Sequence, residues 1–374
     1  MLRRLSWDDE NGGEKPAGIM TDKLVSKRAA GLEGYRAETE VRGIALDKNE
    51  LPWSLNGSVQ EAVINSIRTM EFNRYPDSSC TELKKAISGY TGVEPSSIAV
   101  GNGSDELISV VLQTFIDPGD TVVLSNPSFS MYKIYGTVCG ARIWEYYLDD
   151  SFGMKLGEFI DCMRREKPKL VFLCNPNNPT GSRLEPEAIE EILKAADGIV
   201  VVDEAYFEFS GLTVAGLLRS HENLIILRTF SKAFGLAALR LGYMLASREI
   251  IGYIDRVRSP FNVNAFAQAA AVEVLRNLDA VMERVELIKV ERERLRKLLK
   301  GLEGLRCYES WSNFLLISIP RAGEIYSRLR ESGICVKGFS SHRLRDCLRI
   351  TIGSPQQNDS LYENIKEALC GYGR

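Results

Sequence analysis

The stretch Ile199-Val200-Val201-Val202-Asp203-Glu204-Ala205-Tyr206 places a run of β-branched residues directly before two carboxyl groups and a phenol. A short apolar run of this kind is typical of a strand that is buried on both faces of a parallel sheet. Such sheets bind ligands beyond the carboxyl ends of their strands, and a buried carboxylate needs a partner. We therefore expect Asp203 either to bind a cationic group of a ligand or to form a structural N-cap or salt bridge.

Six further runs of the same kind lie on both sides of this stretch, and amphipathic stretches separate most of them. The runs are Ser97–Val100, Thr121–Leu124, Arg142–Leu148, Leu170–Cys174, Leu224–Leu227 and Leu241–Ala246. Buried runs that alternate with helices predict an α/β fold, in which a mostly parallel sheet lies between helices. We assign this seven-stranded sheet to one large domain, residues 46–265, which would contain the binding site.

From about residue 265 the pattern of the sequence changes. A long, charged helical stretch is followed by two strand-like runs and a closing helix: Ala265–Leu302, Asn313–Ile319, Leu348–Ile352 and Ser360–Leu369. This order predicts a smaller α+β domain at the C-terminus, residues 266–374. Residues 1–45 are expected to form an N-terminal arm, whose first 20 residues are polar and glycine-rich and are predicted to be mobile.

Composition excludes several classes of protein. The 374 residues carry a net charge of −3, which argues against a general nucleic-acid binder. No apolar run approaches the ~20 residues of a membrane span, and no stretch resembles a signal peptide. Two histidines, His221 and His342, leave little room for a zinc site or a Ser-His-Asp triad. The eight cysteines form no C-x-x-C pair, so we expect reduced thiols in a cytoplasmic protein without nucleic-acid, membrane or metal partners.

Two loops that follow other predicted strands have the composition of binding loops. Gly101–Asp105, Gly-Asn-Gly-Ser-Asp, opens a helix and suits a phosphate monoester, because glycines admit an anion to the backbone and to the first N–H groups of the helix. The same residues also form an ordinary turn with an N-cap. Asn175–Gly181 contains two prolines and three asparagines, which predicts a tight turn or a rigid loop that holds an amide toward a ligand oxygen.

Ser231 and Lys232 follow the apolar run Leu224–Leu227, and Arg240 comes eight residues after the lysine. A lysine in an apolar setting loses its proton more readily and can act as a nucleophile, while Ser231 and Arg240 could hold a phosphate. A single lysine of this kind is more often a surface residue. The order of the motifs is what favours a binding site: an anion loop, an aromatic residue, an Asn-Pro loop, Asp with Tyr, and Ser-Lys with Arg, each at a strand end.

These residues resemble the fold-type I, pyridoxal-phosphate (PLP)-dependent aminotransferases of class I/II, and within them the histidinol-phosphate aminotransferase branch. The resemblance spans roughly residues 35–370 and is carried by the phrases Asp47–Glu50, Arg74–Asp77, Gly101–Glu106, Asn175–Gly181, Asp203–Tyr206, Ser231–Arg240 and Leu348–Gly353. It implies a homodimer with a large PLP-binding domain, a small C-terminal domain and an N-terminal arm.

The resemblance implies a role for each residue at the cofactor. Lys232 looks like the lysine that forms a Schiff base with PLP and carries protons, and Asp203 like the partner of the pyridine nitrogen. Asn178 and Tyr206 would hydrogen-bond the phenolic oxygen. The phosphate would be bound by residues of two loops, together with Tyr75 from the other subunit. The loop residues are Gly103, Ser104, Asp105, Ser231 and Arg240.

For the substrate, the resemblance implies Arg349 at the α-carboxylate, with Tyr35 and Asn49 also at the substrate. The sequence departs from the family pattern twice. The aromatic residue that stacks on the cofactor ring is Phe129 rather than tyrosine, and the cation for the substrate phosphate is Lys337 rather than arginine.

We therefore interpret the chain as a PLP-dependent aminotransferase that acts on histidinol phosphate and 2-oxoglutarate in histidine biosynthesis. An aromatic amino-acid aminotransferase and a threonine-phosphate decarboxylase-like lyase are the alternatives. A PLP-sensing regulator is a third class, but residues 1–34 are too short and not basic enough for the DNA-binding domain that such proteins usually add.

Overall fold

The apolar runs of the sequence form strands in the computed structural model, which describes residues 24–32 and 43–370. The chain forms two compact units, Met1–Ala37 and Glu38–Arg374. The first helix given below belongs to the first unit, and every other element belongs to the second.

The described residues contain twelve strands. They are β1 (Ile44–Leu46), β2 (Ile98–Gly101), β3 (Thr121–Asn126), β4 (Arg142–Tyr147), β5 (Leu170–Cys174), β6 (Ile199–Asp203), β7 (Leu224–Thr229), β8 (Gly242–Ala246), β9 (Arg306–Cys307), β10 (Phe314–Ser318), β11 (Ile334–Gly338) and β12 (Cys347–Thr351).

The α-helices of the described residues are given in the same way. They are α1 (Lys27–Ala30), α2 (Gly57–Arg68), α3 (Thr81–Thr91), α4 (Ser104–Phe115), α5 (Ser130–Cys139), α6 (Leu156–Glu166), α7 (Pro186–Ala195), α8 (Phe207–Ser210), α9 (Arg248–Val257), α10 (Ala265–Arg276), α11 (Leu278–Lys300), α12 (Ala322–Glu331) and α13 (Pro355–Cys370). Short 3₁₀ turns lie at Pro95–Ser97, Ala215–Arg219 and Ala237–Leu239.

The large sheet has seven strands in the order β2-β8-β7-β6-β5-β3-β4. Its strands pair in parallel except for β8, which is antiparallel to both of its neighbours. Each strand coincides with one of the seven apolar runs of the sequence. The prediction of an α/β fold with a mostly parallel seven-stranded sheet is therefore confirmed.

Both faces of the large sheet are covered, which explains why its central strands are apolar throughout. In β6, Val200 and Val202 pack into one core, whereas Val201 packs into the other. Helices α4, α5 and α9 supply side chains to the core of Val201, and α3, α6, α7 and α10 supply them to the opposite core. Each fully buried aliphatic side chain of this kind stabilises the fold by about 1.5–3 kcal/mol.

The second sheet has five strands in the order β1-β11-β12-β10-β9. Strand β1 lies parallel to β11, and the other pairs are antiparallel. The sequence analysis found β10 and β12 but not β1, β9 or β11. Strands β1 and β9 have only three and two residues, which is too short for a periodic pattern.

The division into an arm, a large domain and a small domain stays a prediction. Strand β1 begins before the boundary proposed at residue 46 and joins the sheet of the C-terminal strands. In the part of the chain that the structure describes, no helix has both the length and the apolar character needed to cross a membrane.

Candidate active site

The carboxyl ends of β5, β6 and β7 meet at one edge of the large sheet. The amino end of the antiparallel strand β8 lies at the same edge, where Gly242 is in register with both Gly101 of β2 and Thr229 of β7. The loops that follow β2, β5, β6 and β7 contain the anion loop, the Asn-Pro loop, Asp203–Tyr206 and Lys232. We take this edge as the candidate site, because α/β sheets bind ligands there.

The five-stranded sheet contributes a wall to this site. The Lys232 amine donates a hydrogen bond to the backbone carbonyl of Lys48, just after β1, at 2.8 Å. Arg349 of β12 donates one hydrogen bond to the Asn178 side-chain oxygen at 2.6 Å and another to the backbone carbonyl of Asp47. The two sheets therefore meet around the predicted site residues.

Lys232 is half-buried between groups of both sheets. Its amine lies 5.9 Å from the centre of the Tyr206 ring. Burial, followed by the positive charge of Arg349, lowers the pKa of Lys232 to about 8. An amine with this pKa is neutral in a substantial fraction of molecules near pH 7.5, so Lys232 can act as a nucleophile and as a proton carrier.

Asp203 ends β6 with 3% of its surface exposed. Its Oδ2 accepts a hydrogen bond from the Tyr132 hydroxyl at 2.6 Å, and its Oδ1 accepts one from the Ala205 N–H at 3.1 Å. Burial raises the pKa of Asp203 to about 6, and the two hydrogen bonds oppose that rise. No lysine or arginine of the described residues pairs with this carboxylate, which leaves it ready for a cationic ligand group.

Asn178 and Tyr206 can each donate a hydrogen bond to a ligand. In both side chains the oxygen already accepts a hydrogen bond from another residue of the protein. The Asn178 side-chain oxygen accepts a hydrogen bond from Arg349, so the amide N–H groups are the end of this side chain that can donate to a ligand. The Tyr206 hydroxyl accepts from the Asn49 amide at 2.9 Å, so its own hydrogen remains available. Two converging donors suit an anionic oxygen on a ligand.

Asn49 itself is 1% exposed and is occupied by contacts inside the protein. In addition to its bond to Tyr206, its N–H donates to the Thr351 hydroxyl at 2.9 Å, and its carbonyl accepts from the Asn313 amide at 3.0 Å. The sequence analysis expected Asn49 at the substrate. In the structure it fixes the Tyr206 hydroxyl instead of lining open space, and its role at the substrate stays a prediction.

The loop before α4 forms a cradle with Arg240. Gly103 has φ +86°, and a Cβ at this position would lie 2.8 Å from a guanidinium nitrogen of Arg240. Arg240 donates to the Ser231 hydroxyl at 3.4 Å and forms an ion pair with Asp105 at 3.1 Å. Helix α4 begins at Ser104 without a side-chain cap, so its first N–H groups remain available to an anion.

Phe129 precedes α5 at the same edge of the sheet. Its ring meets the Tyr132 ring edge-on, with 5.5 Å between the centroids. Tyr132 contacts Asp203 through its hydroxyl, a contact that the sequence analysis did not find. The available signal was the spacing of three residues between Phe129 and Tyr132, which places both on one side of a helical turn.

Lys337 of β11 is in register with Arg349 of β12. Residues directly opposite each other in an antiparallel pair point to the same face of the sheet, so the two cations lie side by side. Two further cations, Arg343 and Arg345, lie in the loop between these two strands. Arg343 donates to the backbone carbonyls of Leu148 and Asp149, and Arg345 pairs with Asp346, so both are bound to groups of the protein.

Two predicted residues are not brought to this edge by the described contacts. Tyr75 is 81% exposed and stacks on Phe261 with 4.6 Å between the ring centroids. Tyr35 lies outside the described residues. Their roles stay predictions.

The residues at this edge of the sheet match the chemical groups of PLP one by one. The buried carboxylate of Asp203 suits the protonated ring nitrogen, and the hydrogen-bond donors of Asn178 and Tyr206 suit the phenolic oxygen. The cradle at the start of α4 suits the phosphate. An amine with a lowered pKa suits the carbonyl carbon. The cradle has no room for a side chain at Gly103, which explains the glycine there.

Comparison with protein families and curated proteins identifies relatives along almost the whole chain. Residues 42–365 match the family model described as aminotransferase class I and II. The histidinol-phosphate aminotransferase of Caldanaerobacter subterraneus subsp. tengcongensis is 42% identical over 351 residues, which cover 94% of this chain and 100% of the relative. The enzyme of the same name from Clostridium novyi is 40% identical over 347 residues, with 93% and 98% covered.

Among solved structures, histidinol-phosphate aminotransferase from Sinorhizobium meliloti in complex with pyridoxal-5'-phosphate superposes with a TM-score of 0.86. It is 26% identical in sequence, and the match covers 93% of this chain and 98% of that chain.

Proposed function

The chain belongs to the class I and II aminotransferases, and we propose that it transfers the amino group of histidinol phosphate to 2-oxoglutarate, as a step of histidine biosynthesis. PLP is the cofactor of this enzyme. Two findings support the substrate. Relatives with this activity in their names cover nearly all of the chain, and two cations, Lys337 and Arg349, lie side by side on strands of which one brings Arg349 close to Lys232.

Bound PLP supplies an electron sink for the charge that develops at the substrate Cα. In our proposal Asp203 keeps positive charge at the ring nitrogen, while Asn178 and Tyr206 donate hydrogen bonds to the phenolic oxygen. Ser231 and Arg240, with Gly103, Ser104 and Asp105 of the α4 loop, form the phosphate site. Phe129 packs against the ring.

Lys232 holds the cofactor between turnovers and moves a proton at the substrate Cα in each half-reaction. This work requires a neutral amine, and the lowered pKa of Lys232 supplies it near neutral pH. An amino donor leaves as its oxo acid before the second oxo acid enters, which is a ping-pong sequence.

The pair of Lys337 and Arg349 is the observation that carries the substrate assignment. Arg349 can fork onto the α-carboxylate of an amino acid, and Lys337 adds a point charge on the same face for a second anionic group. Glutamate has two carboxylates, one for each cation. Histidinol phosphate has no carboxylate, and its doubly charged phosphate ester can be bound by both cations together, so one pair of cations suits both half-reactions.

The test compares kcat/KM for histidinol phosphate, phenylalanine and threonine phosphate in wild type, Lys337→Ala and Arg345→Ala. The Arg345 variant is the matched control, because it removes a nearby positive charge that pairs with Asp346. We expect Lys337→Ala to lose the phosphate esters selectively, by about tenfold or more, the scale of a charged hydrogen bond of about 1.5–3 kcal/mol. Equal losses for all three substrates, or no turnover of histidinol phosphate by wild type, would refute the assignment.

Consumption of threonine phosphate without conversion of PLP to its amine form would indicate a decarboxylase. The spectrum of the bound cofactor on addition of glutamate separates the two reactions, since only an aminotransferase converts the cofactor to its amine form.

We also propose that the enzyme is a cytoplasmic homodimer with shared active sites. Tyr75 and Phe72 are 81% and 75% exposed, and each packs on an aromatic side chain, Phe261 and Phe266 respectively. Exposed aromatic patches mark interaction surfaces, and the family pattern places Tyr75 at the cofactor phosphate of the other subunit.

Mixing of two inactive variants tests the shared site. Lys232→Ala chains combined with Tyr75→Ala chains should recover part of the activity, because one of the two hybrid sites would contain both residues. A fully active monomer in sedimentation would exclude the dimer.

A further inference from the structure

We propose that Tyr132 is a positioning residue of this enzyme: its hydroxyl keeps the Asp203 carboxylate ionised and oriented toward the ring nitrogen of the cofactor. The inference rests on the proposed function, because it gives Asp203 that role. It goes beyond the function in assigning the control of Asp203 to a residue of helix α5.

The contact between the two side chains is short and lies wholly inside the protein. The Tyr132 hydroxyl donates to Asp203 Oδ2 at 2.6 Å, and the Tyr132 side chain has 0% of its surface exposed. A hydrogen bond from a hydroxyl to a carboxylate at this distance is of the strong, charge-assisted kind. Both partners are buried, so the hydroxyl and the carboxylate are shielded from bulk solvent.

Two aromatic neighbours fix the orientation of the Tyr132 ring, and with it the position of the hydroxyl. It stacks on Phe172 of β5 with 4.6 Å between centroids and 8° between planes, and Phe129 meets it edge-on. One side chain thus touches both the carboxylate at the ring nitrogen and the aromatic residue proposed against the ring face. A substitution at Tyr132 would therefore alter the contacts of both Asp203 and Phe129.

The other groups around Asp203 do not replace this hydrogen bond. The negative charges of Asp105 and Glu204 raise the pKa of Asp203, as burial does, and the Ala205 N–H is the second donor to the carboxylate. On the neighbouring strand, Cys174 is in register with Asp203, and burial raises the pKa of its thiol to about 12, so it is uncharged.

The hydroxyl of Tyr206 completes the set of titratable groups that face Asp203. Burial raises its pKa well above its usual range, so it too is neutral and supplies no charge. Tyr132 is therefore the side chain that most directly opposes protonation of Asp203 among the described residues. A carboxylate that accepted a proton at neutral pH would no longer hold a proton on the ring nitrogen.

The test uses Tyr132→Phe, which removes only the hydroxyl and retains the stacked ring. Tyr243→Phe is the matched control, because Tyr243 is also 0% exposed, and its hydroxyl faces Arg228 and Glu208 rather than Asp203. Both variants lose one buried hydroxyl from the cores that cover the large sheet. Only Tyr132→Phe removes a donor from Asp203.

The first readout is the titration of Asp203 in the apo-protein by carbon-13 NMR of labelled aspartate, with the Asp203 signal assigned through Asp203→Asn. We expect the pKa of Asp203 to rise by about 1–2 units in Tyr132→Phe, the equivalent of one charged hydrogen bond of about 1.5–3 kcal/mol. We expect no change in Tyr243→Phe. An unchanged pKa in Tyr132→Phe would overturn the proposal.

The second readout is the nitrogen-15 shift of ring-labelled PLP in the reconstituted proteins. Tyr132→Phe should lose protonation of the ring nitrogen at a lower pH than wild type, with kcat reduced and KM little changed. A nitrogen that titrates as in wild type would also overturn the proposal, because a residue that only fills space would leave it unchanged.

A third measurement needs no variant and covers the case in which Tyr132→Phe does not fold. In the wild-type apo-protein, the ring carbon that bears the Tyr132 hydroxyl should shift with the same midpoint as the Asp203 carboxyl. An independent midpoint would overturn the proposal. Failure of wild type to transaminate would refute the proposed function instead, and it would leave these apo-protein titrations intact.

Discussion

Asp203 and Glu204 are neighbours in the sequence, and both are buried, yet the protein surrounds them differently. Glu204 pairs with Arg228 at 2.8 Å, with 1% and 3% of the two side chains exposed. It also accepts hydrogen bonds from the Thr213 hydroxyl at 2.8 Å and the Val214 N–H at 2.7 Å. Its charge is neutralised and its oxygens are occupied within the protein.

Asp203 has two hydrogen bonds and no ion pair among the described residues. Its partner Tyr132 belongs to the core on one face of the large sheet, whereas the Glu204 partner Val214 belongs to the core on the other. The two carboxylates therefore serve different regions. The Glu204 side holds strand ends together, and the Asp203 side leaves a negative charge for a ligand.

The difference gives a criterion for buried carboxylates at strand ends. A structural carboxylate has its cation and its hydrogen bonds inside the protein, whereas a binding carboxylate has the hydrogen bonds and lacks the cation. Each of the following experiments tests whether the two regions separate in this way.

Lys232→Ala should have the largest effect and should act on the binding side alone. Loss of both the covalent link to the cofactor and the proton carrier is expected to reduce kcat by about 10⁴-fold or more. The melting temperature of the apo-protein should change little, because the amine is only half-buried. Borohydride reduction of wild type should attach the cofactor to the peptide that contains Lys232, and a label on any other lysine would rule out the assignment.

Asp203→Asn should reduce kcat by about 10²- to 10³-fold, the scale of one lost electrostatic contact in a buried site. The apo-protein should be at least as stable as wild type at pH 7.5, because a buried carboxylate without a cation has been replaced by a neutral amide. Rates of the half-reaction and urea denaturation measure the two effects. A destabilised variant with normal half-reaction rates would assign Asp203 to the structural class.

Glu204→Gln should show the opposite result. It leaves the Arg228 guanidinium buried without its counter-ion, so the free energy of unfolding is expected to fall by about 3–5 kcal/mol. The folded fraction should retain kcat within a few-fold of wild type. If kcat fell as far as in Asp203→Asn while stability held, the distinction between the two carboxylates would fail.

The rate of cofactor attachment should change with pH by a smaller factor than the substitutions change kcat. The pKa of Lys232 is lowered to about 8, and the neutral amine is the nucleophile. The rate at which apo-protein attaches PLP should therefore rise about tenfold per pH unit below 8 and level off above it. Stopped-flow absorbance at several pH values checks this, and a rate that still rises steeply at pH 10 would mean an amine with an ordinary pKa.

The chemistry of the strand ends could be predicted from the sequence because it is local. The run before Asp203 predicts a buried strand from its own composition, and the loops at Gly103 and Asn178 are identified by residue types that favour turns. Lys232 follows an apolar run in the same way. Each of these inferences depends on neighbours in the chain, so no knowledge of packing is required.

The contact between Tyr132 and Asp203 could not be predicted, because the two residues are 71 positions apart and meet only when α5 packs on the sheet. The hydrogen bond from Asn49 to the Tyr206 hydroxyl could not be predicted for the same reason, because these residues are 157 positions apart. Strand β1 is a strand only because it pairs with β11, which lies near the other end of the chain.

By itself, therefore, the sequence determined the seven-stranded sheet and the residue types that its loops present, since β-branched runs and turn residues act over a few positions. Only the tertiary structure decided which of two adjacent buried carboxylates has a cation. Side chains alternate between the faces of a sheet, and the core that covers each face is assembled from distant helices. One core brings Tyr132 to Asp203, while on the other side β7 brings Arg228 to Glu204.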